Sequence, residues 1–506
     1  MSRSIVGVAC NRCVLLLVSF LLMGCTAARV PATAAVAVPA LAMREQPPAP
    51  GAPRELTIPA PVQKQLANGL RVVVLPRHGA RLVTIELRVA LAGSMADPSD
   101  RFGLAEFAAS LLSSGTQTRT APQIAAEAEA LGSSVDASAS RDASRIGMTV
   151  ITPKVPEAIA LLADLVQHPT FAAAEVERHR AQAVDGLRVA MSDPGDLGAL
   201  VVPQLGYDFE RYRHATGGTL ASLGRIQTDD LRTFHRKRYR PDRSVLILAG
   251  DIDADAAFAT AERSFGQWCC PSKSSYVLRN EIPPSNAGRV VVIDLPGSGQ
   301  AAVFAMYTLP RRASPDYYAG MVTNAVLGGG YSSRLNAEIR IKSGLSYGAF
   351  SKFDALLSGG SLLASAQTKN VSANQVLALM KAEIERLSAE RVPAAELDVR
   401  RANLLGEFAR SLETSEGLAD RLGEYFELGL TVDEINRVAP MVTAVTAEQV
   451  QSFAAENLGK ADISFVVVGD AKLFVDELRQ RYPTLELIPA SELDLDSPTL
   501  RRAGVK

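Results

Sequence analysis

Histidine and cysteine are both scarce, five of each in 506 residues. Cys10 and Cys13 lie in the N-terminal segment and Cys25 follows it, which leaves only the adjacent pair Cys269-Cys270. Neighbouring cysteines can bridge only through a strained ring, and no Cys-x-x-Cys or Cys/His cluster is present. A disulfide framework and a cysteine-rich metal site are thereby excluded. The histidines, at 78, 168, 179, 214 and 235, include no two within helical reach of each other in sequence. Charge of one sign is lacking too: 53 basic residues balance 54 acidic ones, and no basic stripe stands out. That removes the electrostatic case for a nucleic-acid partner. There is no Gly-x-Ser-x-Gly elbow, and Ser110, Ser113 and Ser114 have no evident histidine partner, so a serine-hydrolase centre is not expected. The apolar run "VLLLVSFLLM" (Val14 to Met23) is ten residues long, too short to cross a ~30 Å hydrocarbon core.

What that run does resemble is the apolar region of a secretory signal, with Arg3 and Arg12 ahead of it. Leu22-Met23-Gly24-Cys25 resembles a bacterial lipobox, which implies cleavage after residue 24 and a lipid on Cys25. Thr26 in place of an aspartate favours the outer membrane, facing the periplasm. A plain secretory signal with a coincidental cysteine is the other reading. Residues 25–54, rich in Ala and Pro, read as a tether.

The rest of the chain is organised as a repeat. "SVLILAGDID" (Ser244 to Asp253) and "ISFVVVGDAK" (Ile463 to Lys472) are apolar runs of strand formers closed by Gly-Asp, the pattern of a buried strand and its turn. A matching helix precedes each, with Ile226, Asp229, Leu231 and Phe234 in register with Val445, Glu448, Val450 and Phe453. Each half opens on a strand pair, followed by a helix-rich stretch. The fold expected is α+β: two homologous domains, each a mostly antiparallel sheet with helices packed on one face, forming a clamshell. The boundaries expected are residues 55–270 and 288–485, joined by the polar, Pro-containing linker 271–287 and followed by a tail, 486–506.

Four segments, "GSMADPSDRFGLAEFAASLLSSGT", "YRPDRSVLILAGDID", "SFGQW" and "LGGGYSSRLNAEIRIKSGLSYG", resemble the pitrilysin/insulinase family of zinc peptidases, in its processing-peptidase-like two-domain branch. In that family a His-x-x-Glu-His helix follows the Gly-Leu-Ala. Residues four apart share a helix face, so two imidazoles hold one zinc and the glutamate activates its water. A glutamate on a later helix is the third ligand. By this resemblance the first His position is Glu106, the Glu is Ala109, the second His is Ser110 and the third ligand is Gly186. All four are replaced although the flanking Gly103-Leu104-Ala105 and Gly115-Thr116 are intact.

The resemblance therefore implies a zinc-lacking, non-catalytic member that is inactive alone and carries no cofactor. Zinc is expected only in a zinc-bearing paralogous peptidase subunit, the partner in a heterodimer that cleaves unfolded peptides. The second half retains the substrate-holding features. Arg340 and Tyr347, seven apart across Gly344, match the family's carbonyl- and oxyanion-holding pair. Gly328 and Gly329 open a glycine run where substrate backbone could approach. It is no phosphate loop, since no Gly-Lys-Ser/Thr follows. Two other readings stay open: an envelope peptide-binding or scaffold protein, and a metallopeptidase with a relocated metal site.

Overall fold

Among the described residues twelve strands carry the architecture. In the first half they are β1 (Val62–Gln65), β2 (Arg71–Pro76), β3 (Leu82–Ala90), β4 (Asp136–Ala139), β5 (Ala143–Ile151) and β6 (Ser244–Gly250). In the second half they are β7 (Val290–Asp294), β8 (Ala301–Leu309), β9 (Ser346–Ala355), β10 (Gly360–Thr368), β11 (Ser464–Gly469) and β12 (Glu486–Pro489). The computed structural model describes residues 58–207, 209–269, 288–459 and 463–502. The signal segment, Cys25, the 25–54 tether and the whole 271–287 linker lie outside these residues.

All seven residues of β6 are buried, and so are all six of β11. A strand apolar on both faces and lacking a polar edge belongs in the middle of a sheet. That placement revises the expected opening strand pairs. β2 and β3 do not pair with each other, because β6 runs between them, parallel to β2 and antiparallel to β3. In the same way β11 separates β7 from β8. The sheet orders are β1-β2-β6-β3-β5-β4 and β12-β7-β11-β8-β10-β9, mostly antiparallel, with β4 and β9 at equivalent edges. The C-terminal segment is part of the fold: β12 pairs with β7, and Leu493, Leu495 and Leu500 are buried. The second half therefore continues past residue 485.

Five helices position the functional features: α1 (Leu104–Ser110), α2 (Ala173–Ala190), α3 (Pro194–Val201), α4 (Tyr317–Leu327) and α5 (Ser415–Glu427). Alternate residues of the first sheet, among them Val72, Val74, Ile85, Leu87 and Leu248, face α1 and the other helices of the first half. The opposite face of β2 and β6, with Val73, Leu75, Val245 and Ile247, is equally apolar, so it too has to be covered. Its cover comes from the second half, through Leu418, Ala419, Leu422 and Tyr425 of α5. The exchange is reciprocal. Leu197 and Val201 of α3, with Leu205 beyond it, cover Val291, Ile293, Phe304, Val466 and Val468 of the second sheet. Each half's own helices thus lie on one face of its sheet, as expected, and each lends a helix to the far face of the other. Each fully buried leucine in these two layers contributes about 1.5–3 kcal/mol.

Both lent helices touch down at a glycine. A Cβ on Gly198 of α3 would lie 2.0 Å from Cε2 of Phe304, and one on Gly423 of α5 would lie 2.6 Å from Oε1 of Glu86 and 2.7 Å from Nε of Arg88. Around that second contact Arg88, on β3, is buried among Glu86, Asp420 and Glu427. A charge removed from water in this way needs such partners.

Candidate functional site

Helix α1 begins where Asp97 accepts the backbone N–H groups of Gly103 at 2.7 Å and Ala105 at 2.8 Å. Gly103, at φ 90°, makes the left-handed turn into the helix. Leu104, Ala105, Phe107, Ala108 and Ala109 are buried, and Glu106 and Ser110 share a partly open face. Ser110 Oγ donates to Glu106 Oε1 at 2.9 Å, and the backbone N–H of Ala139 on β4 donates to Oε2 at 2.6 Å. Burial raises the Glu106 pKa above the usual carboxylate range, against the pull of these two bonds. Ala109 presents a methyl group to the core. Gly186 is exposed on α2, and a Cβ there would meet no heavy atom within 4 Å.

One carboxylate already engaged at both oxygens, a methyl, a hydroxyl and a glycine do not make a zinc site. Among the described residues no three His, Cys, Asp or Glu side chains converge as metal ligands would. The five histidines are dispersed. His78 and His168 meet single aspartates, His179 lies against Phe107, His214 is stacked on Phe102 beside Asp97, and His235 bonds the Val166 carbonyl. Among the described residues no arrangement supports a relocated metal site.

In the second half, Arg340 sits in the π-helical turn Ala337–Lys342. Gly344, at φ +63°, then reverses the chain into β9, near whose start Tyr347 is 94% exposed. The seven-residue spacing brings the pair together: the Arg340 guanidinium carbon lies 5.8 Å from the centre of the Tyr347 ring. It lies closer still, 4.9 Å, to the Tyr331 ring. Arg340 therefore stands between two tyrosines, a cation–π arrangement that leaves donors free to turn outward. Arg340 and Tyr347 rim a groove of about 840 Å³ whose floor is Ala302 and Phe304 of β8, Ser365 and Gln367 of β10 and Phe350 of β9, with Gly195 and Asp196 at the start of α3 as a wall; Tyr331 touches the site through Arg340.

Gly328 and Gly329 serve another purpose than the one expected. A Cβ on Gly328 would lie 2.3 Å from the Ser351 nitrogen, whose N–H donates to the Gly328 carbonyl at 3.0 Å. A Cβ on Gly329 would lie 2.8 Å from Cα of Ala325. The backbone that approaches Gly328 is the chain's own strand β9, and Gly329 packs on α4. Tyr331 and Phe350, in contrast, join the site without having been expected there. The only signal for Tyr331 was its place directly after the glycine run.

Two family descriptions match consecutive stretches: "Insulinase (Peptidase family M16)" over residues 71–214 and "Peptidase M16 inactive domain" over residues 225–404. The chain belongs to the insulinase family, M16. An uncharacterized zinc protease of Mycobacterium leprae is 28% identical to this M16 chain over 397 residues, covering 78% of it and 88% of the relative. A protein of Helicobacter pylori named non-peptidase homolog YmxG is 25% identical over 388 residues, covering 75% and 87%. Among solved structures, a peptidase M16 inactive domain from Pseudomonas fluorescens superposes with a TM-score of 0.73 at 25% identity, covering 81% of this chain and 98% of that one. A protease from Helicobacter pylori shares the fold, with a TM-score of 0.75 at 20% identity, covering 82% and 100%. With Glu106, Ala109, Ser110 and Gly186 at the metal-site positions, this chain is a non-catalytic M16 member.

Proposed function

We propose that this M16 chain is the non-catalytic subunit of a heteromeric zinc peptidase of the bacterial envelope. It holds an unfolded peptide and presents it to a zinc-bearing paralogous subunit. The observation that carries this reading is Arg340, held between Tyr331 and Tyr347 at the rim of an open groove in a chain that has Glu106, Ala109, Ser110 and Gly186 at the positions matching the family's metal site. Guanidinium and phenol donors suit a peptide carbonyl, and suit better the oxyanion that forms when the partner's water attacks it. In this proposal zinc belongs to the partner alone, and lipidated Cys25 with the 25–54 tether holds the chain at the outer membrane, facing the periplasm.

The test is reconstitution. The purified chain should cleave nothing by itself, and adding the paralogue should give cleavage of unfolded polypeptide. Arg340→Ala should lower turnover of the mixture by an order of magnitude or more, and Tyr347→Phe by less, since removing one oxyanion donor costs about 2.7–4 kcal/mol where the site is fully formed. Full activity of the paralogue alone would sink the proposal. Peptide binding with no effect on any peptidase would favour the scaffold reading.

A further inference from the structure

β4 is an edge strand, and the orientation of its backbone groups follows from its register. Asp136 pairs with Gly147 and Ser138 with Arg145, and the Ser140 N–H donates to the Ala143 carbonyl at 2.8 Å. In an antiparallel ladder successive residues alternate between facing the partner and facing away. The amides of Asp136, Ser138 and Ser140 therefore point toward β5, and those of Ala137 and Ala139 point out of the sheet. Outward groups on an edge are what an extended peptide pairs with when it adds to a sheet. The Ala139 N–H is already taken by Glu106, whose other oxygen is pinned by Ser110. The second sheet closes its equivalent edge in a parallel manner: the Ala349 N–H donates to Asn336 Oδ1 at 3.2 Å and the Ser351 N–H to the Gly328 carbonyl.

We infer that Glu106, at the position of the family's first metal ligand, closes the β4 edge against an added strand. An extended peptide, of no particular sequence, pairs with Ala137 and Ala139 only when Glu106 releases the Ala139 amide. The carboxylate is a strong acceptor, and a neutral peptide carbonyl offers a weaker bond in exchange. The residue that marks the loss of the metal thus acts as an internal competitor for the strand beside it. This inference does not depend on the paralogue.

The full chain tests it with two readouts: hydrogen exchange of the segment spanning residues 136–140, and the affinity for fluorescein-labelled β-casein as an unfolded polypeptide. Glu106→Ala should speed exchange in that segment about tenfold and lower the Kd several-fold. Glu106→Gln, whose neutral amide carbonyl still accepts from Ala139 but more weakly than a carboxylate, should fall between the parent chain and Glu106→Ala in both. Adding Ala137→Pro to Glu106→Ala removes an outward donor that the β5 ladder does not use, and should abolish the gained affinity. Unchanged exchange in Glu106→Ala, or a gain in affinity that survives Ala137→Pro, overturns the inference. Should Glu106→Ala fail to fold, Glu106→Asp, one methylene shorter, gives the same two readouts, and parent-like values in both overturn it equally.

Discussion

Gly328 has φ −151° and ψ 8°, outside the left-handed region, and its requirement for glycine is one of space. The atoms in the way are the Ser351 nitrogen at 2.3 Å and its Oγ at 2.5 Å, and the nitrogen is backbone that cannot rotate aside. Gly344 is the opposite case: its φ of +63° is left-handed, and a Cβ there meets nothing within 4 Å. Gly328→Ala should therefore cost about 1–3 kcal/mol through overpacking, and Gly344→Ala about 1 kcal/mol through backbone strain alone. Thermal melts should place Gly328→Ala below Gly344→Ala. Gly328→Ala should also weaken peptide binding, because the turn it displaces carries Tyr331 against Arg340. The reverse order of Tm would mean that the glycine turn does not depend on its close approach to β9.

Between elements, the interface of α5 with the first sheet has a built-in pH dependence. Glu427 is bonded to Arg88 and accepts from Ser140 Oγ at 2.5 Å, yet burial dominates and pushes its pKa up to about 7. A carboxyl whose pKa is raised by folding holds its proton longer in the native state than in the unfolded chain. Its ionisation therefore costs native stability, a cost absent below the usual carboxylate range and complete above about pH 7. The full cost is at most about 3 kcal/mol. Glu427→Gln keeps the shape and removes the titration, so its Tm relative to the parent chain should rise between pH 5 and pH 8. Parallel Tm curves would show that Arg88 cancels the burial cost. None of this interface was legible in the sequence. The apolar stripe of "SEGLADRLGEYFE" announces a helix with one buried face, but the period cannot say which sheet lies under it, and Arg88 and Glu427 are 339 residues apart. β6 and β11 could be read because a central strand is apolar on both faces over a short run closed by Gly-Asp. The missing metal residues could be read because their flanks were intact. The Glu106 bond to Ala139 could not, since a helical glutamate is solvated by default and only the fold brings β4 beside it.

For the whole molecule, the exchange of α3 and α5 makes each half an incomplete core. Without α5, the first sheet exposes Val73, Leu75, Val245 and Ile247; without α3, the second exposes Val291, Ile293, Val466 and Val468. Opening the chain between its halves would bare both layers at once, an apolar loss that a peptide ligand does not repay. The chain is then a rigid unit, and under the proposed function room for substrate comes from movement against the zinc-bearing subunit. Rigidity of this kind has a measurable form. Leu197→Ala on α3 and Leu422→Ala on α5 should each cost about 2–4 kcal/mol, and each should lower the protection of amides in both sheets within one cooperative unfolding transition. Expressed separately, residues 58–269 and 288–502 should give no cooperative melt, whereas together they should assemble into a complex with native-like protection in β6 and β11. If the first fragment alone protected β6 as the full chain does, the exchanged helices would be decoration on two independent domains, and a hinge between the halves would again be available for opening.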